Sequence, residues 1–137
     1  MSPHPYLRAY MAGIVVPTVF LLVFMTFFTV LRYVYDVPFA IERVIVFPMA
    51  VVPNLWGVWN MLHLWLRSHR QAPLGVHGAV LPFLLAPVAF LIAKAVDFAV
   101  PSLVMNAFPF VFPVGVIIYY LVWKHVVGFL NQFLGIA

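Results

Sequence analysis

Apolar residues form four long runs along the chain, at residues 11–31, 44–66, 76–96 and 103–123. Each run is 21 to 23 residues long. As an α-helix such a run rises roughly 31–35 Å, which is enough to cross a hydrocarbon core about 30 Å thick. The ten-residue alternating patterns of a membrane β-barrel are absent. We therefore predict an all-α integral membrane protein, in which a single polytopic domain over residues 1–137 holds a bundle of four transmembrane helices.

The composition excludes the other broad classes of protein. Hydrophobic residues make up 66% of the chain and charged residues 7%, against about 45–50% and about 25% in an ordinary soluble domain. A chain of this kind cannot cover its surface with polar groups in water, and it has too much apolar surface to remain disordered. It contains no cysteine, which excludes disulfide frameworks and thiolate metal sites.

Prolines recur within the predicted spans. Pro48 and Pro53 in the second run have the same spacing as Pro82 and Pro87 in the third, and the two pairs are offset by 34 residues. Further prolines lie in the first and fourth runs, at Pro17, Pro109 and Pro113. Since a proline within a helix removes a hydrogen bond and clashes with the preceding turn, we predict kinked helices. Paired interruptions also occur in transporters built from repeated broken helices; the alternative is a compact bundle that tolerates its prolines.

The C-terminal segment, residues 126–137, follows the fourth run. It separates an apolar face from a polar one: Phe129, Leu130, Phe133 and Leu134 against Asn131 and Gln132. This spacing predicts a short amphipathic helix lying in the membrane interface. The alternative is a simple continuation of the fourth helix.

Basic residues near the span ends give a weak orientation bias. With the N-terminus inside, four of them lie on the cytoplasmic side: Arg8, Arg67, Arg70 and Lys124. Arg32 and Arg43 lie on the other side, with Lys94 close to it. By the positive-inside rule we expect both termini in the cytoplasm and a location in a cytoplasmic (inner) membrane. The acids Asp36, Glu42 and Asp97 then fall outside.

The second run carries the most unusual polar segment. Trp56, Asn60 and His63 form one stripe of a helix, with Gly57 and Trp59 beside it. Amides and imidazoles at this depth should face protein or a cavity, since an unpaired polar group in hydrocarbon is costly. The stripe is interpreted either as a helix–helix interface with hydrogen bonds between helices or as the lining of a ligand or ion pathway.

Two other sets of residues suggest polar contacts. Lys94 and Asp97 are three residues apart at the end of the third run and could form an ion pair on one helix face. His63, His77 and His125 lie near the cytoplasmic ends of their spans, where two could ligate a b-type haem or three a metal ion. Nothing in the sequence forces them together, so no cofactor and no metal are assigned.

The functional prediction is a non-enzymatic membrane protein. No nucleophile–base–acid set, metal-protease motif or phosphate-binding loop is present, and a net charge of +4 from seven basic residues does not support nucleic-acid binding. We expect the protein to act through contacts with other membrane helices, as a subunit of a complex or as a homo-oligomer. A small transporter or channel lined by the second span, and a haem-binding electron-transfer subunit, are the alternatives. Arg67, Arg70 and Lys124 are expected to contact the anionic headgroups of the bilayer.

Overall fold

The computed structural model of the protein describes residues 3–38, 50–70 and 72–136, and in these residues every regular element is helical. The four long helices are α1 (Pro5–Val34), α2 (Val52–Arg67), α3 (Leu74–Ala95) and α4 (Ser102–Val122). A π-helical turn (Trp123–Val127) and α5 (Gly128–Phe133) follow α4 directly. The predicted all-α class is confirmed.

Three helical segments are long and apolar enough to cross a membrane: Pro5–Val34, Leu74–Ala95 and the continuous Ser102–Phe133. The first begins at Pro5 rather than at Met11. The second helix, α2, has 16 residues. It covers the later part of the predicted second span. Residues 44–49 of that span, with Pro48, and the neighbouring Glu42 and Arg43 lie outside the described residues.

The prolines lie inside continuous helices. α1 runs through Pro17, α3 through Pro82 and Pro87, and α4 through Pro109 and Pro113. Pro53 is the second residue of α2, whereas Pro87, its partner in the 34-residue offset, lies in the second half of α3. Ala50 and Val51, which precede α2, are also helical, so helical backbone lies on both sides of Pro53 as well.

The helices pack mainly as two pairs, α1 with α2 and α3 with α4. The first pair approaches closely at two glycines: a Cβ atom on Gly13 would lie 2.5 Å from the Trp56 carbonyl oxygen, and one on Gly57 would lie 2.4 Å from the Tyr10 ring. Small residues allow this approach in membrane helices, where packing between helices replaces the hydrophobic effect. Where α3 meets the π-helical turn, the Trp123 side chain lies over Gly78, and a Cβ there would lie 2.0 Å from its ring.

Two buried clusters hold the pairs together. The larger consists of Trp56, Leu81, Leu85, Trp123 and Val127. The smaller, of Ala9, Ala12 and Ile136, joins the start of α1 to the C-terminal segment. The larger cluster joins α2 and α3 to the π-helical turn, and the smaller joins α1 to the C-terminal segment. The C-terminal segment is therefore part of the bundle.

The C-terminal segment thus continues the fourth helix, which is the second of the two alternatives. Burial does not follow the predicted apolar and polar faces. Asn131 is 7% exposed, while Phe129 and Phe133 are 61% and 77% exposed. Gln132 is exposed, and Leu130 and Leu134 are half-buried against the smaller cluster. The segment ends at Gly135 (φ 72) in a Schellman motif, which returns Ile136 to the smaller cluster.

Candidate functional site

The polar stripe of α2 faces the interior of the bundle. Trp56, Gly57, Asn60 and His63 are buried, and Trp59 is half-buried beside them. The four buried residues all lie on the side of α2 that meets α1, α3 and the end of the fourth helix.

Asn60 joins three segments of the chain. Its side-chain amide donates to the Ala9 carbonyl oxygen of α1 at 2.7 Å and to Asn131 Oδ1 of α5 at 2.7 Å. Asn131 Nδ2 donates back to Asn60 Oδ1 at 3.1 Å. Asn60 is only 1% exposed, so these bonds satisfy amides that would otherwise lie unpaired in a low-dielectric interior.

His63 and His77 meet between α2 and α3. Their ring centroids are 4.9 Å apart, a separation typical of rings in contact, and Trp59 stacks on His77 at 4.8 Å. His77 Nε2 donates to the Trp59 carbonyl oxygen at 2.8 Å, and Trp59 Nε1 donates to the His77 carbonyl oxygen at 2.8 Å. The pair is therefore a packed, hydrogen-bonded contact between two helices.

This arrangement does not fit the haem alternative. A haem held by His63 and His77 would place its macrocycle between two rings that instead pack against each other. His125 is exposed on the π-helical turn. Within residues 3–38, 50–70 and 72–136, no three His, Asp or Glu side chains come together as a metal site.

Two buried nitrogen atoms near these rings have no hydrogen-bond partner in the described part of the chain, His63 Nδ1 and Trp123 Nε1. Trp123 is fully buried and packs on Trp56 with ring centroids 5.1 Å apart. Trp56 packs in turn on Tyr119 at 5.1 Å and donates from Nε1 to its hydroxyl at 3.4 Å. An apolar, aromatic layer thus lies next to the polar layer of Asn60, His63 and Asn131.

A cavity of about 270 Å³ opens beside this polar layer. Its polar lining comes from α2 and from the end of the fourth helix: Asn60, His63, Arg67, Lys124, Asn131 and Gln132. Apolar walls are supplied by Ala9, Leu64, Leu74, Gly128 and Ile136. The charged lining residues are one guanidinium and one ammonium group, and no Asp or Glu is among the described residues that line the cavity. We call this feature the basic cavity.

The basic cavity lies at one end of the bundle. The start of α1, the end of α2, the start of α3 and the end of the fourth helix all meet there. Arg8 lies at the same end and donates to the Leu134 carbonyl oxygen at 3.1 Å. The described acids, Asp36 and Asp97, follow the opposite ends of α1 and α3. This end of the described structure therefore carries positive charge without a neutralising carboxylate.

The other predicted site residues lie elsewhere. Lys94 and Asp97 are exposed and do not share a helix face, because α3 ends at Ala95. Asp97 adopts a left-handed backbone (φ 53) and donates from its backbone N–H to the Lys94 carbonyl oxygen at 3.3 Å, as in a Schellman motif. All three predicted headgroup contacts are exposed. Arg67 and Lys124 also line the basic cavity, whereas Arg70 lies in the connection after α2.

Two side chains that complete the site, those of Asn131 and Trp123, were not predicted from the sequence. Asn131 was assigned to the polar face of the C-terminal segment, and Trp123 was not identified as a site residue. A signal for both exists in the spacing, since Tyr119, Trp123, Val127 and Asn131 recur every four residues and so follow one side of a continuous helix. Arg8 and Gln132 carry no comparable signal, because their positions depend on how the two ends of the chain meet.

No protein family model, curated protein or solved structure matches this chain.

Proposed function

We propose that this is a non-enzymatic multi-pass membrane protein that binds an anionic group in the basic cavity at one membrane surface. The observation that carries the proposal is the lining of that cavity: Arg67 and Lys124 with His63 and three carboxamides, and no described carboxylate. A small site with two cations attracts anions. Arg67 and Lys124 are two of the three residues that the sequence favours for headgroup contacts, here joined by Asn60, His63, Asn131 and Gln132.

Binding is better supported than conduction. The polar lining of the basic cavity is confined to one end of the bundle, and the large buried side chains of Trp56, Leu81 and Trp123 fill the interior beside it. A conducting pathway would require polar groups or an open bore along the whole span. The continuous helices at Pro82 and Pro87 also lack the interrupted backbone that forms midplane transport sites.

The basic end belongs, in this proposal, on the cytoplasmic side. Arg8, Arg67, Arg70 and Lys124 meet there or lie in the connection beside it, which agrees with the positive-inside rule. The cytoplasmic leaflet is also the one with a negative surface potential. An anionic lipid headgroup would therefore be available at the entrance of the basic cavity.

The test is a comparison of stability in two bilayers. The purified protein is placed in nanodiscs of phosphatidylcholine, with and without an anionic lipid such as phosphatidylglycerol, and its thermal unfolding is followed. We expect the anionic lipid to raise the unfolding midpoint, because a ligand that binds only the folded state stabilises it. The double variant Arg67→Gln/Lys124→Gln should lose this gain, and Arg70→Gln, whose charge lies outside the cavity, should keep most of it. An equal midpoint in both bilayers would reject the proposal.

Self-association is a second candidate, supported by the surface of α4. None of the 21 residues of α4 is buried, and the space beside Gly115 is open, with no atom within 4 Å of a Cβ placed there. A second copy or another membrane helix could cover this surface, as the prediction of a complex subunit or homo-oligomer requires. Native mass spectrometry from gently solubilised membranes tests this: monomers of the wild-type chain alone would reject self-association.

A further inference from the structure

Resting on the anion-binding function proposed above, we propose that the ligand of the basic cavity is a phosphomonoester, held by Arg67, Lys124 and His63. The charge of the site is the first argument. Arg67 and Lys124 line the cavity and carry two positive charges, with the Lys124 ammonium 5.7 Å from the Tyr120 ring centroid. They have eight N–H donors between them, five on the guanidinium and three on the ammonium group. A phosphomonoester carries about −1.5 to −2 charges at pH 7 and three strong acceptor oxygens. A carboxylate or a phosphodiester brings a single negative charge to the same pair.

His63 supplies the second argument. Its side chain lines the basic cavity, the residue is 9% exposed, and its Nδ1 atom has no hydrogen-bond partner in the described part of the chain. A buried ring nitrogen without a partner is costly. Because this nitrogen is not accessible from the cavity in the described geometry, the ring would have to turn for Nδ1, carrying the hydrogen, to donate to an oxygen of a bound phosphate.

The amides around the cavity are also arranged to donate. Both Asn60 amide hydrogens are used, on the Ala9 carbonyl oxygen and on Asn131 Oδ1. Asn131 Nδ2 uses one hydrogen on Asn60 Oδ1 and keeps the other, and Gln132 lines the cavity beside it. Asn131 and Gln132 therefore add directional donors to the two cations, which suits an anion with several oxygens better than a spherical halide.

The volume sets an upper limit on the group that enters. At about 270 Å³ the cavity lies just below the range of about 300–1,000 Å³ that accommodates drug-sized ligands. It can admit a phosphate with the first atoms of its substituent, while the rest of a larger molecule would remain outside. Two sources offer this chemistry at a membrane surface: inorganic phosphate from water, and a lipid whose headgroup is a terminal phosphate.

The experiment compares headgroups on the intact chain. Delipidated protein in a neutral maltoside detergent is titrated, by native mass spectrometry, with phosphatidic acid, phosphatidylglycerol and phosphatidylcholine of the same acyl chains. We expect phosphatidic acid to bind about tenfold or more tightly than phosphatidylglycerol, and phosphatidylcholine to bind most weakly, because a lost charge-assisted hydrogen bond costs at least that factor. Arg67→Gln and Lys124→Gln should each remove most of the preference for phosphatidic acid. Arg70→Gln is the matched control, since its charge is at the same end but outside the cavity.

The outcomes separate this proposal from the function on which it rests. Equal affinity for phosphatidic acid and phosphatidylglycerol, both above phosphatidylcholine, would overturn the phosphomonoester and leave the anion-binding function standing. Equal affinity for all three lipids would reject both. A loss in Arg70→Gln as large as in Arg67→Gln would overturn the cavity as the site. His63→Phe, which keeps an aromatic ring against His77, should weaken phosphatidic acid binding with unchanged unfolding temperature; unchanged binding would remove His63 from the site.

Competition with inorganic phosphate then identifies the source. Displacement of phosphatidic acid by millimolar inorganic phosphate, but not by chloride, would show that free phosphate fills the same cavity. Retention of the lipid under the same conditions would assign the site to a lipid headgroup. Displacement by chloride to the same extent would overturn the proposal, since general screening rather than a built phosphate site would then explain the binding.

Discussion

Gly13 of α1 and Gly57 of α2 lie face to face where the two helices cross. A Cβ atom on Gly13 would be 2.9 Å from the Gly57 Cα atom and 2.5 Å from the Trp56 carbonyl oxygen. Backbone meets backbone at this point, so no side chain can move aside to make room. The contact fixes the distance between α1 and α2, and through it the position of Ala9 against Asn60.

The substitution Gly13→Ala should therefore destabilise the protein by about 1–3 kcal/mol, the usual range for overpacking. Gly57→Ala should cost less, because its new methyl group meets the Tyr10 and Ile14 side chains, which can adjust. Gly115→Ala is the control, since a Cβ there meets nothing within 4 Å. Reversible denaturation in detergent micelles measures all three. Equal stability of the Gly13 and Gly115 variants would show that α1 and α2 do not approach as closely as described.

The hydrogen-bonded pair of Asn60 and Asn131 gives a second prediction, that substitutions at the two positions have non-additive effects on the free energy of unfolding. Asn60→Leu leaves Asn131 buried without its partner, so it should cost about 1–3 kcal/mol, and Asn131→Leu should cost a similar amount. The double variant should be less destabilised than the sum of the two, because no unpaired amide then remains. A double-mutant cycle of unfolding free energies tests this. Strictly additive costs would mean that the two amides do not bond to each other.

Much of the fold could be predicted from hydrophobicity alone. Long apolar runs indicate that the elements are helices and show roughly where the spans lie. The described helices agree with the first, third and fourth runs and with the later part of the second. The sequence left two alternatives for the C-terminal segment for a physical reason. An amphipathic segment can turn its polar face to water or to a buried partner, and the sequence of residues 126–137 does not contain that partner, Asn60.

The candidate site was predictable in part. The stripe of Trp56, Asn60 and His63 could be identified because polar residues in an apolar helix need a protein environment. The cavity itself could not, because it forms between Arg67 of α2 and Lys124 of the π-helical turn, 57 positions apart in the sequence. Lys94 and Asp97 do not lie on one helix face, because Asp97 follows the end of α3 in a left-handed conformation that hydrophobicity does not predict.

Orientation gives a third prediction. If the basic end is cytoplasmic, reporter fusions after Ala137 and within the connection 68–71 should both give cytoplasmic signals. A fusion in the connection between α3 and α4, at Val100, should give the opposite signal, because α3 separates it from the connection 68–71 and the fourth helix separates it from Ala137. Periplasmic signals from both of the first two fusions, with a cytoplasmic signal at Val100, would invert the topology and place the basic cavity on the outer surface.

The polarity of the C-terminal segment gives the last prediction, which uses the absence of cysteine from the chain. Phe133 is 77% exposed and Asn131 is 7% exposed, although the two are only two residues apart. Asn60→Cys/Asn131→Cys should form a disulfide under mild oxidation, because the side chains at these two positions meet. Asn60→Cys/Phe133→Cys is the matched control and should remain reduced, because Phe133 lies on the exposed face. The unfolding temperature of each variant checks that it folds. No disulfide in the first variant would detach the C-terminal segment from the bundle, and with it Asn131 and Gln132, two of the six polar residues that line the cavity.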